Sequence, residues 1–137
     1  GSSGVCSSDL DRALASDAHS PVQIADYTQA ILMRPDFFEA YNYRALAHRA
    51  MGNVDGALAD FSETIRLNPD FAEAYNNRAV VLEDLARPDE AVATYERCLA
   101  LEPAFAAAHW NLARLYEMRG VEAHAWRPFR AYRRPSR

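Results

Sequence analysis

Four histidines are the residues of this chain best suited to metal binding or acid–base chemistry, and their spacing favours neither. No two of them are four residues apart, and none stands in a ligand pattern such as His-Glu-x-x-His. We therefore expect no metal site and no cofactor. Structural roles are expected for all four, which are His19, His48, His109 and His124.

The other reactive residue types also argue against catalysis. Cys6 and Cys98 lack the paired spacing of a disulfide framework or a zinc ribbon. All 15 cationic residues are arginine, which excludes Schiff-base and Walker-type lysine chemistry. Carboxylate pairs occur at Glu83-Asp84 and Asp89-Glu90, and we expect them on solvated helix ends. The sequence predicts no catalytic residues and no enzyme activity.

The charge of the chain is unevenly distributed. Its 137 residues carry a net charge of −4, but residues 1–121 hold 10 Arg against 18 acids (−8) and residues 122–137 hold 5 Arg against 1 acid (+4). Nucleic-acid binding could rest only on this tail, where arginine alternates with aromatic residues. Because Trp126 and Phe129 fall at core positions of the repeat, we expect no nucleic-acid contact. No stretch approaches the roughly 20 apolar residues that span a bilayer.

An internal repeat organises the chain. Pro35, Pro69 and Pro103 are separated by 34 residues each time. Several other residue types keep this step, which indicates a repeat architecture. They are Phe37, Phe71 and Phe105; Ala40, Ala74 and Ala108; Ala45, Ala79 and Ala113; Ala57, Ala91 and Ala125; and Tyr27, Phe61, Tyr95 and Phe129.

Each unit is predicted to be a helical hairpin. The spacing of Tyr75, Ala79 and Leu82 indicates an amphipathic helix, and a second helix is predicted from about Pro88 to Leu101. Small residues allow the two helices to approach closely, so alanines are expected at the crossing beside large aromatic residues. A hairpin cannot bury its apolar stripe alone, and neighbouring units must stack. The predicted fold is an all-α solenoid.

The motifs resemble the tetratricopeptide repeat of bacterial type. The resemblance rests on Ala-Tyr-Asn-Asn-Arg-Ala from Ala74, on Ala91 and Tyr95, and on the closing Pro103, and it covers roughly residues 20–133. It implies a right-handed superhelix of about three to four units. The first helices of the units would line a concave groove that holds a peptide segment of another protein.

The resemblance predicts the following division of the chain. The terminal units diverge, because Asp11 replaces a core alanine and Pro128 interrupts a helix. Residues 1–10 are interpreted as a linker or non-native leader, 11–37 as a degenerate first unit, 38–71 and 72–105 as full units, and 106–137 as a divergent last unit with a basic tail.

The groove positions are predicted from the first helices. Asparagine is a poor helix former with a donor and an acceptor, suited to bonding a peptide backbone. Asn77 and Asn111 resemble the asparagine ladder of O-linked N-acetylglucosamine transferases. The alternative is that these side chains only bond the neighbouring turn. The predicted peptide-groove residues are Asn42, Tyr43, Arg49, Asn76, Asn77, Trp110, Asn111 and Arg114.

The expected partner is a neutral or basic extended segment. The carboxylate clamp that tetratricopeptide repeats use for chaperone C-termini has Lys and Arg at set groove positions. The residues at the clamp positions here are Asn42, Leu46, Asn77, Ala107 and Asn111. Only Asn77 matches the clamp residue at its position, and none of the five is Lys or Arg. Self-association is expected through an apolar end surface around Leu112, Tyr116 and Trp126. The alternative function is a partner- or substrate-recruiting arm of a larger enzyme or regulator, such as a glycosyltransferase-like protein. The compartment is left open, with cytoplasm favoured over periplasm.

Overall fold

The computed structural model describes residues 21–118 and Gly120, and it is entirely helical over this part of the chain. The predictions for residues 1–20, for Pro128 and for the basic tail lie outside the described residues. None of the described helices is long and apolar enough to cross a membrane. The helices are α1 Pro21–Met33, α2 Phe38–Ala50, α3 Val54–Leu67, α4 Ala72–Asp84, α5 Pro88–Leu101 and α6 Ala106–Met118.

Local sequence explains where these helices begin and end. α5 starts at Pro88, where a missing backbone N–H costs nothing, and two acidic residues follow in its first turn. The side chain of Asn53 caps α3 by accepting a hydrogen bond from the Gly56 backbone N–H at 3.0 Å. A proline lies two residues after α1, α3 and α5, so none of these helices can continue.

The turn that follows each first helix has a left-handed backbone. Gly52 has a φ of 87° and Gly120 a φ of 66°, a conformation that glycine adopts without steric cost. The equivalent residue of the middle unit is Ala86, and it takes the same conformation with a φ of 59°. The 34-residue period therefore extends to the backbone, at a steric cost in the unit that lacks glycine.

Small residues lie where the paired helices cross, as predicted. Ala45 and Ala57 share a fully buried cluster with Phe61 in the α2–α3 hairpin. Ala79 and Ala91 are likewise fully buried in the α4–α5 hairpin, in one cluster with the large ring of Tyr95. Each alanine lets the helix axes approach, and the aromatic ring fills the adjacent gap.

The units stack by burying apolar side chains between neighbouring hairpins. α3 packs on α4 and α5 packs on α6, so each hairpin buries the apolar stripe of the next first helix. Leu112 and Tyr116 of α6 belong to the buried cluster of the α4–α5 unit. The prediction that these two residues form an exposed end surface is therefore wrong, because the preceding unit covers them. Trp126 lies outside the described residues.

A partly buried ion pair joins α2 to α3. The Arg44 guanidinium donates to both carboxylate oxygens of Asp60 at 2.7 and 2.8 Å, and a third hydrogen bond of 3.1 Å reaches Thr28 on α1. This interaction raises the pKa of Arg44. In the next unit Arg78 donates to Ser62, at the position equivalent to Thr28, but Thr94 replaces the carboxylate. Only the first linkage is therefore an ion pair.

Candidate functional site

The candidate site is the face of α2, α4 and α6 that carries the eight predicted groove residues. These are the first helices of successive hairpins, and their shared register puts equivalent residues 34 positions apart. Residues spaced by three or four along one helix lie on the same side of it. We call this surface the first-helix face. Its members on the middle helix are Glu73, Asn76, Asn77, Val80, Glu83 and Asp84.

An amide ladder connects the first helices. The Asn77 side-chain amide donates to the Asn42 side-chain oxygen at 3.5 Å, and Asn111 donates to Asn76 at 3.3 Å. Asn42 and Asn76 are only 2% and 8% exposed. These two predicted groove residues lie beneath the surface, because the following first helix covers them. Asn77 and Asn111, which donate the two hydrogen bonds of the ladder, are half-buried.

Tyr43 departs from the ladder, as the sequence indicates. It occupies the position equivalent to Asn77, but its ring stacks on Tyr27 of α1 with centroids 6.1 Å apart and an interplanar angle of 18°. The Tyr43 ring therefore helps to hold α1 against α2. Tyr43 contributes to the packing of the first units as well as to the surface.

Charges on the first-helix face are largely paired with one another. Arg49 of α2 donates to Asp84 of α4 at 2.7 Å, and Arg114 of α6 donates to Glu83 of α4 at 3.0 Å. The two ion pairs connect three successive first helices. The electrostatic contribution of the exposed Arg49–Asp84 pair is small, whereas in the second pair Glu83 is only 15% exposed. The two pairs neutralise the centre of the face.

Glu83 is more enclosed than the sequence suggested. Besides Arg114, it accepts a hydrogen bond from the Tyr95 hydroxyl at 2.5 Å. Burial, reinforced by this neighbouring carboxylate, raises the pKa of Tyr95, so the phenol stays a hydrogen-bond donor. The expectation that Glu83 lies on a solvated helix end is therefore wrong. Its hydrogen bonds tie α5 and α6 to α4.

The exposed part of the first-helix face is acidic and aromatic. Glu39, Glu73 and Glu117 are exposed, and none forms an ion pair within residues 21–118. Trp110 is 71% exposed, although its equivalents are the buried Asn42 and Asn76. The described structure places no further first helix over α6, and this side of α6 remains accessible.

Among the described residues, three further reactive side chains are enclosed by packing or by hydrogen bonds. Cys98 is fully buried, and this burial raises the pKa of its thiol to about 11. His109 lies with Nε2 2.8 Å from the Pro103 carbonyl oxygen, where the equivalent Tyr75 hydroxyl donates to the Pro69 carbonyl at 2.9 Å. His48 is half-buried beside Asp60, with 3.7 Å between Nε2 and the carboxylate.

Two polar linkages were missed by the sequence reasoning. The first is Arg44 with Asp60, and the second is Glu83 with Tyr95 and Arg114. The sequence contained a signal for the linkage of Glu83 with Tyr95. Phe61 occupies the equivalent position one unit earlier and has no hydroxyl, whereas the buried Tyr95 hydroxyl needs a hydrogen-bond partner. Register alone could not identify Glu83 as that partner.

The fold and its repeated first-helix face define a helical repeat protein. A family model described as the tetratricopeptide repeat matches residues 24–69, 44–97 and 78–135, which together cover most of the chain. The chain belongs to the tetratricopeptide repeat family. A comparison with curated proteins gave no significant match.

Several solved structures share this architecture. The crystal structure of MamA matches with a TM-score of 0.73 and 23% identity over 79% of this chain and 63% of that one. A second MamA structure matches over 60% of its own chain, so the present chain spans less than two thirds of either MamA chain. At 23% identity, this likeness concerns the fold alone.

Two similar structures contain a bound peptide. The first tetratricopeptide domain of Spaghetti (RPAP3), bound to the HSP90 peptide SRMEEVD, matches with a TM-score of 0.69 and 26% identity over 72% of this chain and 78% of that one. The second such domain of human RPAP3, in complex with the HSP70 peptide SGPTIEEVD, matches at 0.65 and 25% identity over 68% and 78%. These neighbours are protein-interaction modules.

Proposed function

We propose that this chain is a non-catalytic interaction module that holds an extended segment of a partner protein against the first-helix face. The observation that carries the proposal is the row of half-buried amides at Asn77 and Asn111. Peptide-bound structural neighbours support it. The concave groove that the family resemblance implies would be formed by this face.

The amide ladder leaves hydrogen-bonding capacity for a ligand. A side-chain amide has two N–H donors and an oxygen with two lone pairs. Asn77 uses one donor to reach Asn42, and Asn111 uses one donor to reach Asn76. The Asn111 oxygen also lies 3.5 Å from an Arg114 nitrogen. The remaining groups suit the alternating N–H and C=O groups of an extended backbone, independently of its sequence.

The charge of the face favours a neutral or basic segment. Arg49 and Arg114 are already paired with carboxylates, and the acids without such a pair are exposed. An acidic segment would have to displace Asp84 or Glu83 and approach further acids. The chaperone peptides of the neighbouring structures end in Glu-Glu-Val-Asp. We propose a different peptide class for this chain.

A second proposal concerns the context of the module. The Asn77 and Asn111 ladder is the feature that resembles the repeats of O-linked N-acetylglucosamine transferases, and it supports a recruiting arm of a larger enzyme or regulator. Self-association through the terminal units also stays a proposal. The exposed apolar residues available for it on α6 are Trp110 and Met118.

Selection from a random dodecapeptide library tests the interaction function. We expect the wild-type chain to enrich a family of peptides whose affinity is measurable by fluorescence anisotropy. Changing Asn77 and Asn111 together to Ala should weaken the selected peptide about five- to a hundredfold, at roughly 0.5–1.5 kcal/mol for each hydrogen bond.

The buried half of the ladder provides the matched control. Changing Asn42 and Asn76 to Ala breaks the same two inter-helix hydrogen bonds but leaves the Asn77 and Asn111 amides in place. This control should lower the melting temperature yet retain most of the peptide affinity. Failure to enrich any peptide would contradict the interaction function. Equal losses in both double variants would assign the ladder to stability alone.

A further inference from the structure

The α6 helix repeats an acceptor geometry that α4 already uses. On α4, Asn76 and Glu83 accept hydrogen bonds from Asn111 and Arg114, which both belong to α6. The equivalent positions of α6, 34 residues later, are Trp110 and Glu117. Both are exposed, and the described structure places no element over them.

The repeat itself indicates the chemistry that suits this part of α6. At the α4 carboxylate, the group bound is a guanidinium, with 3.0 Å from Arg114 Nη2 to Glu83 Oε2. Glu117 is the same residue type at the equivalent position, and it forms no ion pair within residues 21–118. The equivalent glutamate one unit earlier, Glu83, therefore already binds a guanidinium.

Trp110 replaces a polar acceptor with a flat aromatic face. Asn76 binds an amide, whereas an indole attracts a cation through its ring and stacks on the plane of a guanidinium. Seven residues separate Trp110 from Glu117, so the two lie on one side of α6 about 10 Å apart along the axis. An arginine side chain is long enough to lie between the indole and the carboxylate.

The cation already on this helix does not occupy the position. Arg114 lies between Trp110 and Glu117 in sequence, but its guanidinium reaches across to Glu83 of α4. Its other terminal nitrogen lies 3.4 Å from the Met118 sulfur. The positive charge of Arg114 is thus neutralised on the α4 side, and it does not satisfy Glu117.

We propose that Trp110 and Glu117 form a subsite that takes an arginine side chain of the bound partner segment. This inference rests on the proposed peptide-binding function and adds a specificity to it. The segment would run along the amides at Asn77 and Asn111 and place its arginine over α6. The exposed acids elsewhere on the face supply a weaker, less specific preference for basic residues.

The test uses the random dodecapeptide library with the full chain. Wild-type protein is expected to enrich peptides with arginine at one fixed position, and Trp110→Ala and Glu117→Gln should lose that enrichment. Glu96→Gln removes an exposed acid from α5, outside the first-helix face, and is the matched control that should retain it. Both altered side chains are exposed, so melting temperatures should stay close to wild type.

A selected peptide then separates the subsite from the rest of the face. Replacing its arginine with citrulline, which is isosteric and uncharged, should weaken binding to wild type about tenfold and binding to Trp110→Ala hardly at all. A selected family without arginine, or an arginine preference that survives in both variants, overturns the subsite and leaves the interaction function standing. No enrichment of any peptide overturns both. A dimer that forms through Trp110 and blocks the peptide would assign this surface to a second copy instead.

Discussion

At the scale of single residues, the middle hairpin carries a strained turn. Ala86 has a φ of 59° where the flanking units have Gly52 and Gly120. A left-handed backbone brings the Cβ of an L-residue close to the following carbonyl oxygen, which costs roughly 1–2 kcal/mol. A hydrogen bond of 2.9 Å from the Arg87 N–H to the Leu82 carbonyl closes the turn and helps to hold Ala86 in this conformation.

Relief of this strain should stabilise the protein. We expect Ala86→Gly to raise the free energy of unfolding by about 0.5–1 kcal/mol, since the extra flexibility of unfolded glycine offsets part of the gain. Chemical denaturation with a fixed m-value measures the change. Gly52→Ala is the matched reverse control, because an added Cβ there meets no heavy atom within 4 Å and only the backbone cost remains. Changes of the same sign in both variants would show that φ does not control stability at this turn.

At the scale of the helix pair, alanine sets the distance between the axes. Ala79 and Ala91 are fully buried in one cluster with Tyr95 and Leu82. Ala91→Leu, or Ala79→Leu, should overpack the crossing and cost on the order of 1–3 kcal/mol. Thermal and denaturant melts measure this loss. Ala93→Leu adds the same side chain to an exposed position of α5 and should cost little. Equal melts for Ala91→Leu and Ala93→Leu would contradict the packing described for this hairpin.

The sequence predicted the helices well because their determinants are local. Pro88 and the prolines at positions 35, 69 and 103 restrict the backbone of their own chain neighbours. The alanine spacing indicates where the paired helices cross. The polar linkages were less predictable, because a contact between Arg44 and Asp60 depends on side-chain rotamers across two helices. Repeat register places the backbones but does not choose between neighbouring acids such as Glu83 and Asp84.

The helices that carry the candidate residues could be predicted from the sequence, whereas the exposure of the individual side chains could not. All eight expected residues lie on first helices, but Asn42 and Asn76 are covered by the next unit. A helical wheel of one unit cannot show this cover, since it comes from a neighbour 35 residues away. Trp110 is exposed for the same reason, because its cover would have to come from an element beyond α6.

At the scale of the whole molecule, register is the property that keeps the units together. Removing residues 76–109 takes out one period and joins Tyr75 to Trp110, so Asn111 should lie over Asn42 where Asn77 lies now. We expect a helical protein that unfolds cooperatively at a lower temperature, because stability in linear arrays grows with the number of interfaces. Circular dichroism and calorimetry measure both properties.

A deletion that breaks the register is the control. Removing residues 76–107 keeps two more residues but rotates the rest of the helix by about 200°, which turns its apolar stripe towards solvent. This variant should lose cooperative unfolding. Comparable melts for the two deletions would mean that helix content, rather than repeat register, determines the fold.

The contacts between neighbouring hairpins also determine how the molecule would respond to a pulling force. The amide ladder, the Arg49–Asp84 pair and the Arg114–Glu83 pair each bind one first helix to the next, and each can rupture separately. Under tension along the chain, one 34-residue unit would release about 120 Å of extended polypeptide, less its folded thickness. A segment bound across α4 and α6 would have to detach before those two helices part. A bound partner would therefore raise the force needed to separate α4 from α6.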